Sequence, residues 1–338
     1  MRRGIVPPLD YLAGIAILGA VLETRTPSRI EFLDQFRGFT IALMIFVNLL
    51  SGFAVTPSWL KHAAVMGSIT ITDFVITMFI FAVGVALELT FPLSRARVGT
   101  LRTVWRHVRR NLLLIGFGLL GSVILRQNLL SKWGVLQTIG GAGLVALPFM
   151  FLHPGYRVAA AVALTGGYQL LGAAGHWAWL QANDIEHLGG MPGALAWAGV
   201  LLIASAIGWF IRNRDENGFR RSCVIIAVTA IGLAIALRGI APIFKPLVTG
   251  TYLLVTTGFA ALMLFIFAQL RLQFLPFRVL GRNALVIFML HGILVLLAPV
   301  LLSPASPLPV VLAALAVVYA LCFLLAGILY ARRISIRL

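Results

Sequence analysis

Ten long apolar stretches, separated by short loops, constrain this chain more than any other feature. A helix needs about 20 mostly apolar residues to cross the hydrocarbon core of a bilayer. Since 60% of the 338 residues are hydrophobic and only 11% are charged, a soluble globule and a disordered chain are both excluded. The pattern predicts an all-α, polytopic membrane bundle of about 10–11 helices. The ten stretches are Phe36–Val55, Ile69–Phe91, Asn111–Leu125, Val135–Leu152, Val158–Ala174, Ala194–Ile211, Cys223–Leu237, Thr251–Leu270, Ala284–Leu302 and Leu308–Tyr330.

An eleventh stretch, Ile5–Leu22, is weaker because two prolines and an aspartate interrupt its start. It follows Met1-Arg2-Arg3, as a signal peptide would, but no small-x-small cleavage site comes after it. We therefore predict a membrane helix here. The expected organisation is a weak N-terminal helix over 1–28 and a single transmembrane domain over 29–338.

The basic residues predict orientation rather than a nucleic-acid partner. The net charge is +17, but Lys and Arg lie in short clusters between apolar stretches. Arginines concentrate in alternate loops, Arg157 among them, and in the C-terminal tail. By the positive-inside rule these loops and the C-terminus are cytoplasmic. Arg2 and Arg3 conflict with this orientation if the eleventh stretch spans.

Three further patterns are interpreted as structural. Cys223 and Cys322 lie within apolar runs and are predicted to be buried thiols. The GxGxxG match over Gly116–Gly121 lies inside a span with no βαβ context, so we expect its small residues to let helices approach. No CxxC or HExxH motif is present, and no metal is predicted.

Polar side chains at membrane depth are rare and are usually functional. Asp34 and Arg37 are three residues apart, so on a helix they share a face and can pair. Glu88 lies near the end of a span, where a side chain can also snorkel to the surface. His291 lies deep in a span, where it either functions or bonds a carbonyl of the next helix. The amides are read as packing groups or functional groups: Asn48, Gln137 and Asn283.

A series of short motifs follows in one order between residues 29 and 295. They are Arg29–Gly38, Met44–Asn48, Lys61–Gly67, Asp73–Gly84, Gly134–Gly140, Glu186–Pro192, Phe244–Leu254 and Leu280–Leu285. Together they resemble the motifs of the transmembrane acyltransferase family of heparan-α-glucosaminide N-acetyltransferase and its bacterial relatives. The first is similar to R-x-x-x-x-D-x-F-R-G and the last to L-G-x-N-A-L.

The resemblance implies a bundle that takes an acyl group, expected to be acetyl, from cytoplasmic acyl-CoA. The group passes to an amine or hydroxyl of a sugar or glycan on the far side of the membrane. The resemblance also implies a bacterial inner membrane as the location. The implied partners are acetyl-CoA, the glycan acceptor and the lipid bilayer, and a homodimer is left open.

The resemblance also implies site residues. His62 matches the essential histidine, Asn48 matches a polar partner close to it, and Asp73 is placed with them as catalytic. Imidazole suits a base that acts near neutral pH, and the Asn48 amide suits a developing oxyanion. A covalent acyl-histidine is the alternative. The residues expected to bind the acyl-CoA donor are Asp34, Arg37, Gln137, Lys245, Asn283 and His291.

The sequence also departs from the family pattern near His62. Val65 replaces a tryptophan, Thr77-Met78 replaces Pro-Trp, and Thr138 replaces an arginine. These changes leave the acceptor open. A transporter or flippase of an envelope lipid or sugar is the second hypothesis, and a membrane subunit without activity is the third.

Overall fold

The computed structural model describes residues 30–63, 65–124, 133–183, 188–270 and 274–334. The helix predicted over Ile5–Leu22, and the division at residue 28, lie outside these ranges. Within them the regular structure is helical, with no strand. In chain order the helices are α1 (Glu31–Leu50), α2 (Ile71–Val98), α3 (Thr100–Ile124), α4 (Val135–Ala146), α5 (Pro154–Leu171), α6 (Trp177–Ala182), α7 (Gly193–Arg212), α8 (Glu216–Leu237), α9 (Gly250–Leu270), α10 (Leu275–Arg282), α11 (Ala284–Leu301) and α12 (Leu308–Ala331).

The all-α, polytopic prediction is confirmed. In the described residues, eight helical segments are long and apolar enough to cross a membrane, with α5 and α6 counted as one segment across a π-helical turn at Gly172–His176. Each of the ten apolar stretches overlaps a helix, but two of these helices, α3 and α4, are not among the eight. The apolar part of α3 is short because four arginines occupy its first half. Helix α4 ends at Ala146 and continues as a 3-10 turn, Leu147–Phe151.

Helices α2 and α7 form the centre of the bundle. Both are largely buried, and they pack along each other while α5 and α4 cover other faces of α7. Close approach is possible because α7 is rich in Ala and Gly. A side chain at Gly84 of α2 would collide with the Leu201 carbonyl of α7. Small residues at such contacts are the usual basis of helix packing in membranes.

Glu88 of α2 does not snorkel to the surface. Its carboxylate is fully buried and contacts the guanidinium of Arg157, while the Arg212 Nε lies 2.8 Å from Oε1. The prediction that Arg157 lies in a loop is therefore wrong, and its orientation relative to the membrane stays a prediction. Arg157 lies in α5, is 4% exposed, and also donates to the Leu152 and Met150 carbonyls at 2.9 and 3.1 Å. A buried guanidinium is stable only when its donors are paired in this way.

The structure separates the three glycines of the GxGxxG match. Gly118 faces Gln137 of α4, as expected for helix approach. Gly116 and Gly121 have open space where a Cβ would stand, so the packing prediction is wrong for these two. The prediction for Cys223 and Cys322 is confirmed, because both are buried free thiols.

Candidate active site

The first polar cluster is built on the N-terminus of α2. Thr70 caps the helix and Asp73, three residues later, completes a capping box with it. The Thr70 N–H donates to Asp73 Oδ2 at 3.0 Å, and the Thr70 Oγ1 lies 3.1 Å from the same oxygen. The Tyr252 hydroxyl of α9 donates to the Asp73 carbonyl at 2.8 Å. The carboxylate is thus fixed by its own helix before any catalytic partner is considered.

His62 lies beside this carboxylate, in the loop between α1 and α2. Its Nδ1 is 3.3 Å from Asp73 Oδ1. The loop is fixed because the Thr70 and Thr72 hydroxyls both donate to the Lys61 carbonyl, at 2.6 and 3.1 Å. The imidazole is 52% exposed whereas the carboxylate is 2% exposed. An accessible base therefore rests on a buried anion.

Lys245 completes the cluster from the loop before α9. Its Nζ is 3.3 Å from Asp73 Oδ1 and 3.1 Å from His62 Nδ1. Burial lowers the pKa of Lys245, and the nearby Asp73 carboxylate opposes that shift. Since the carboxylate balances its charge, the ammonium is tolerated in this largely buried position.

Two side chains of α5 hold the loop of Lys245 in place. The Tyr168 hydroxyl donates to the Leu247 carbonyl at 2.8 Å, and the Gln169 amide donates to the Val248 carbonyl at 3.2 Å. The Gln169 Oε1 accepts from the Gly250 N–H at 2.7 Å. These bonds satisfy backbone groups that the loop itself leaves unpaired.

The loops of His62 and Lys245 are joined directly through Gly67. Its N–H donates to the Ile243 carbonyl at 2.8 Å, and its φ of 89° is one that favours glycine. The α1–α2 loop and the loop before α9 therefore keep a fixed relation to each other. The cluster of His62, Asp73 and Lys245 is rigidly supported from three helices.

The tautomer of His62 decides what this cluster does. When Nδ1 carries the proton it donates to Asp73, and Nε2 presents a lone pair away from the carboxylate. When Lys245 donates to Nδ1 instead, Nε2 carries the proton and acts as a donor. A buried carboxylate beside imidazole favours the first arrangement, as in hydrolytic triads.

Asn48 and His291 form a second polar pair, between α1 and α11. The Asn48 Nδ2 lies 3.2 Å from His291 Nε2, and His291 Nδ1 lies 2.5 Å from the Phe288 carbonyl. Since a carbonyl only accepts, Nδ1 is the donor, which leaves Nε2 to accept from the Asn48 amide. The carbonyl is on the same helix as His291, not on a neighbouring helix as one sequence reading expected.

The other residues expected to bind the donor lie elsewhere in the bundle. Asp34 and Arg37 form the expected pair, at 3.4 Å. Helix α1 rises about 1.5 Å per residue, so Asp34 is about 21 Å along the axis from Asn48. The remaining two residues contact other parts of the bundle: Gln137 packs on Gly118 of α3, and the Asn283 amide donates to the Ile334 carbonyl at 3.1 Å.

Sequence reasoning missed the support for His62 and the partners of Glu88. The T-x-x-D spacing of Thr70 and Asp73 is a capping-box signal, and it was available in the sequence. No local pattern marked Arg157 and Arg212 as partners of Glu88. In the described part of the chain, no group of three or more His, Cys, Asp or Glu side chains is arranged to hold a metal.

The fold and the site define a class: a polytopic membrane protein with an accessible histidine on a buried carboxylate, which suits acyl transfer. Residues 29–237, more than half of the chain, match the family described as Heparan-alpha-glucosaminide N-acetyltransferase, catalytic. The chain belongs to this family and is a membrane acetyltransferase. The match includes His62 and Asp73 and ends before Lys245. No curated protein matches the chain.

Proposed function

We propose that the protein transfers an acetyl group from acetyl-CoA, bound from the cytoplasmic side, to an amine or hydroxyl of a sugar outside. The observation that carries this proposal is the contact of His62 with Asp73 and Lys245. The cluster lies at the end of α2 opposite the arginine-rich α2–α3 turn. A donor with several phosphates suits that arginine-rich end, and an extracytoplasmic acceptor suits the end with His62.

In the proposed reaction His62 acts as the general base. With Nδ1–H donated to Asp73, Nε2 takes the proton of the acceptor amine or hydroxyl as it attacks the thioester carbonyl. The carbon–sulfur bond then breaks, and the proton on Nε2 passes to the departing thiolate of coenzyme A. Asp73 stabilises the imidazolium between these two transfers and remains ionised, balanced by Lys245.

Asn48 is proposed to donate to the oxyanion that forms on the thioester carbonyl. Its contact with His291 supports this role, because Nε2 holds one amide N–H and so fixes which side of the amide is nitrogen. A covalent acyl-histidine on Nε2 is the alternative route. Rapid-quench trapping of acetylated protein in the absence of acceptor distinguishes the two.

The donor site is proposed to use the other matched residues, Asp34, Arg37, Gln137 and Asn283, with Lys245 and His291 nearer the reacting atoms. The proposed orientation has a cytoplasmic C-terminus in a bacterial inner membrane. Single cysteines test it, because the two native cysteines are buried. A cysteine at Ser58 should react with an impermeant maleimide from outside, and one at Arg102 only from inside. The reverse labelling would place His62 in the cytoplasm and overturn the proposal.

The activity test uses purified wild type, His62→Ala and the control His153→Ala. His153 is an exposed histidine at the start of α5. Thiol release from acetyl-CoA is followed with glucosamine as acceptor. We expect release by wild type and His153→Ala, and a loss of about 10²–10⁴-fold in His62→Ala. If no variant releases thiol and acetyl-CoA does not bind, the enzyme proposal fails and the transporter hypothesis takes its place.

A further inference from the structure

A groove runs along the outward face of α3, away from the site of His62. It encloses about 350 Å³ and is lined by Trp105, Arg109, Leu112, Leu113, Gly116, Phe117 and Leu120. These positions recur at helical spacing, so they form one stripe of α3. The opposite face of the same helix carries the buried Leu114 and packs on α4. The groove therefore opens away from the bundle.

The missing side chain of Gly116 forms the floor of this groove. A Cβ there would meet no atom within 4 Å. The walls are large apolar side chains that remain exposed, with Leu112 50% and Leu120 54% exposed. The width of the channel is set by one absent side chain. A linear hydrocarbon chain fits this width and contacts both walls.

The two ends of the groove differ in charge. Arg109 and Trp105 stand at one end, Arg106 lies between them along the helix, and Arg102 continues the same helical face beyond Trp105. All three arginines are exposed. The other end, at Phe117 and Leu120, is apolar. Tryptophan with arginine is the usual pairing at the level of lipid headgroups, where arginines attract anionic lipids.

The whole groove, from Trp105 to Leu120, is about 22 Å long, and its part from Arg109 to Leu120 matches one leaflet of a bilayer. Arg109 and Leu120 are eleven residues apart, which at 1.5 Å per residue is about 16 Å along the axis. Half of a hydrocarbon core of about 30 Å is about 15 Å. A lipid with its phosphate at Arg109 thus has its acyl chain beside Gly116 and ends near the bilayer midplane.

We propose that this groove is a binding site for one anionic phospholipid of the leaflet on the arginine-rich side. The phosphate lies against Arg109, with Arg106 and Arg102 adding to the positive field, and one acyl chain lies over Gly116. None of these residues belongs to the site of His62, and the test below measures lipid binding rather than thiol release, so its failure and the failure of the proposed function are distinguishable.

The test measures binding of phosphatidylglycerol to the full-length protein in detergent by native mass spectrometry, with phosphatidylcholine as the neutral lipid. Two variants remove the site: Arg109→Gln removes the charge and Gly116→Trp fills the channel. Two matched control variants change residues outside the groove. Arg214→Gln removes an exposed arginine after α7, and Gly232→Trp adds a side chain at an exposed, open glycine of α8.

We expect wild type to prefer phosphatidylglycerol over phosphatidylcholine. Arg109→Gln should weaken phosphatidylglycerol binding about fivefold, since one arginine near an anionic headgroup contributes about that factor. Gly116→Trp should weaken both lipids, and both controls should stay within about twofold. Free glycerol 3-phosphate should not displace the lipid, because the acyl chain supplies the remaining contacts.

Two results would overturn the proposal. One is an equal loss in Arg109→Gln and Arg214→Gln, which would reduce the effect to general positive charge. The other is no loss in either Arg109→Gln or Gly116→Trp, which would leave only unspecific annular lipid. If Gly116→Trp does not fold, the two arginine variants still decide the outcome.

Discussion

The strongest consequence of the site concerns Asp73, and the change that tests it is Asp73→Asn. The amide keeps an oxygen that can accept from the Thr70 N–H, so the helix cap is largely retained. The charge is lost. The NH₂ group of the asparagine amide can donate to His62 Nδ1, and this favours the tautomer with a proton on Nε2. The histidine then no longer presents a base to the acceptor.

The magnitude follows from the two contacts of the carboxylate. Lys245 Nζ lies 3.3 Å from Asp73 Oδ1, and at an effective dielectric constant of about 20 the attraction is about 5 kcal/mol before desolvation. Removing one partner of such a buried pair costs about 3–5 kcal/mol of stability. We expect kcat to fall about 10²–10⁴-fold, the range for loss of a correctly oriented base.

Two measurements separate the effects on stability and on catalysis. A maleimide dye that reacts with Cys223 and Cys322 reports unfolding, since both thiols are buried in the folded protein. Thiol release from acetyl-CoA, counted per folded molecule, reports catalysis. The control is Asp215→Asn, because Asp215 also caps a helix, accepting from the Gly218 N–H at 2.8 Å, but has no histidine beside it.

An Asp73→Asn protein whose kcat stays within about threefold of wild type would contradict this prediction. That result would leave Asp73 as a helix cap only, and the tautomer argument would fail with it. A loss of activity equal to that of Asp215→Asn would have the same meaning.

Three further predictions concern residues outside this pair. Burial lowers the pKa of Lys245 below its ordinary 10.5, so the unfolded chain binds more protons than the folded protein just below pH 10.5. The free energy of unfolding of wild type should therefore rise with pH in that range, and Lys245→Met should remove this rise. An identical slope in both proteins would contradict the prediction. His291→Leu should lower kcat as much as Asn48→Ala, and the double variant should show no further loss, because the two side chains contact each other. Additive losses in a double-mutant cycle would show independent roles. Glu88→Gln should destabilise the fold by about 3–5 kcal/mol in thermal unfolding, because it leaves Arg157 buried without an anion. Unchanged stability would mean that the pairing of Arg157 with backbone carbonyls is sufficient.

The bundle itself could be predicted from the sequence because membrane spans consist of local runs of apolar residues. The ends of the helices were less accurate, since polar residues at a helix end interrupt such a run. Helix α1 begins at Glu31 rather than Phe36, and it ends at Leu50 although the apolar composition continues to Val55. The chain turns there through backbone bonds such as Ser51 N–H to the Val47 carbonyl.

The individual residues of the site were predicted from motifs, but their pairing was not. Lys245 and His62 are separated by 183 positions, and Asn48 and His291 by 243. Contacts of this range depend on how helices pack, which no local pattern records. The same limit explains Arg157, which a count of charges assigns to a loop because the count contains no information on depth.

The two carboxylates of α2 show how burial separates a functional pair from a structural one. Asp73 and Glu88 are fifteen residues apart, about 22 Å along the helix, and each is balanced by cations from other parts of the chain. At Glu88 the main partner is Arg157, 5% exposed in its side chain, so no substrate has access to the pair. At Asp73 the partner His62 is 52% exposed, and its second nitrogen is directed away from the carboxylate. The first arrangement holds α2, α5 and α7 together, while the second leaves a base available at the end of the bundle opposite the arginines. Under the proposed function, a donor whose phosphates lie at the arginine-rich end must therefore extend across most of the hydrocarbon core for its thioester to lie beside His62.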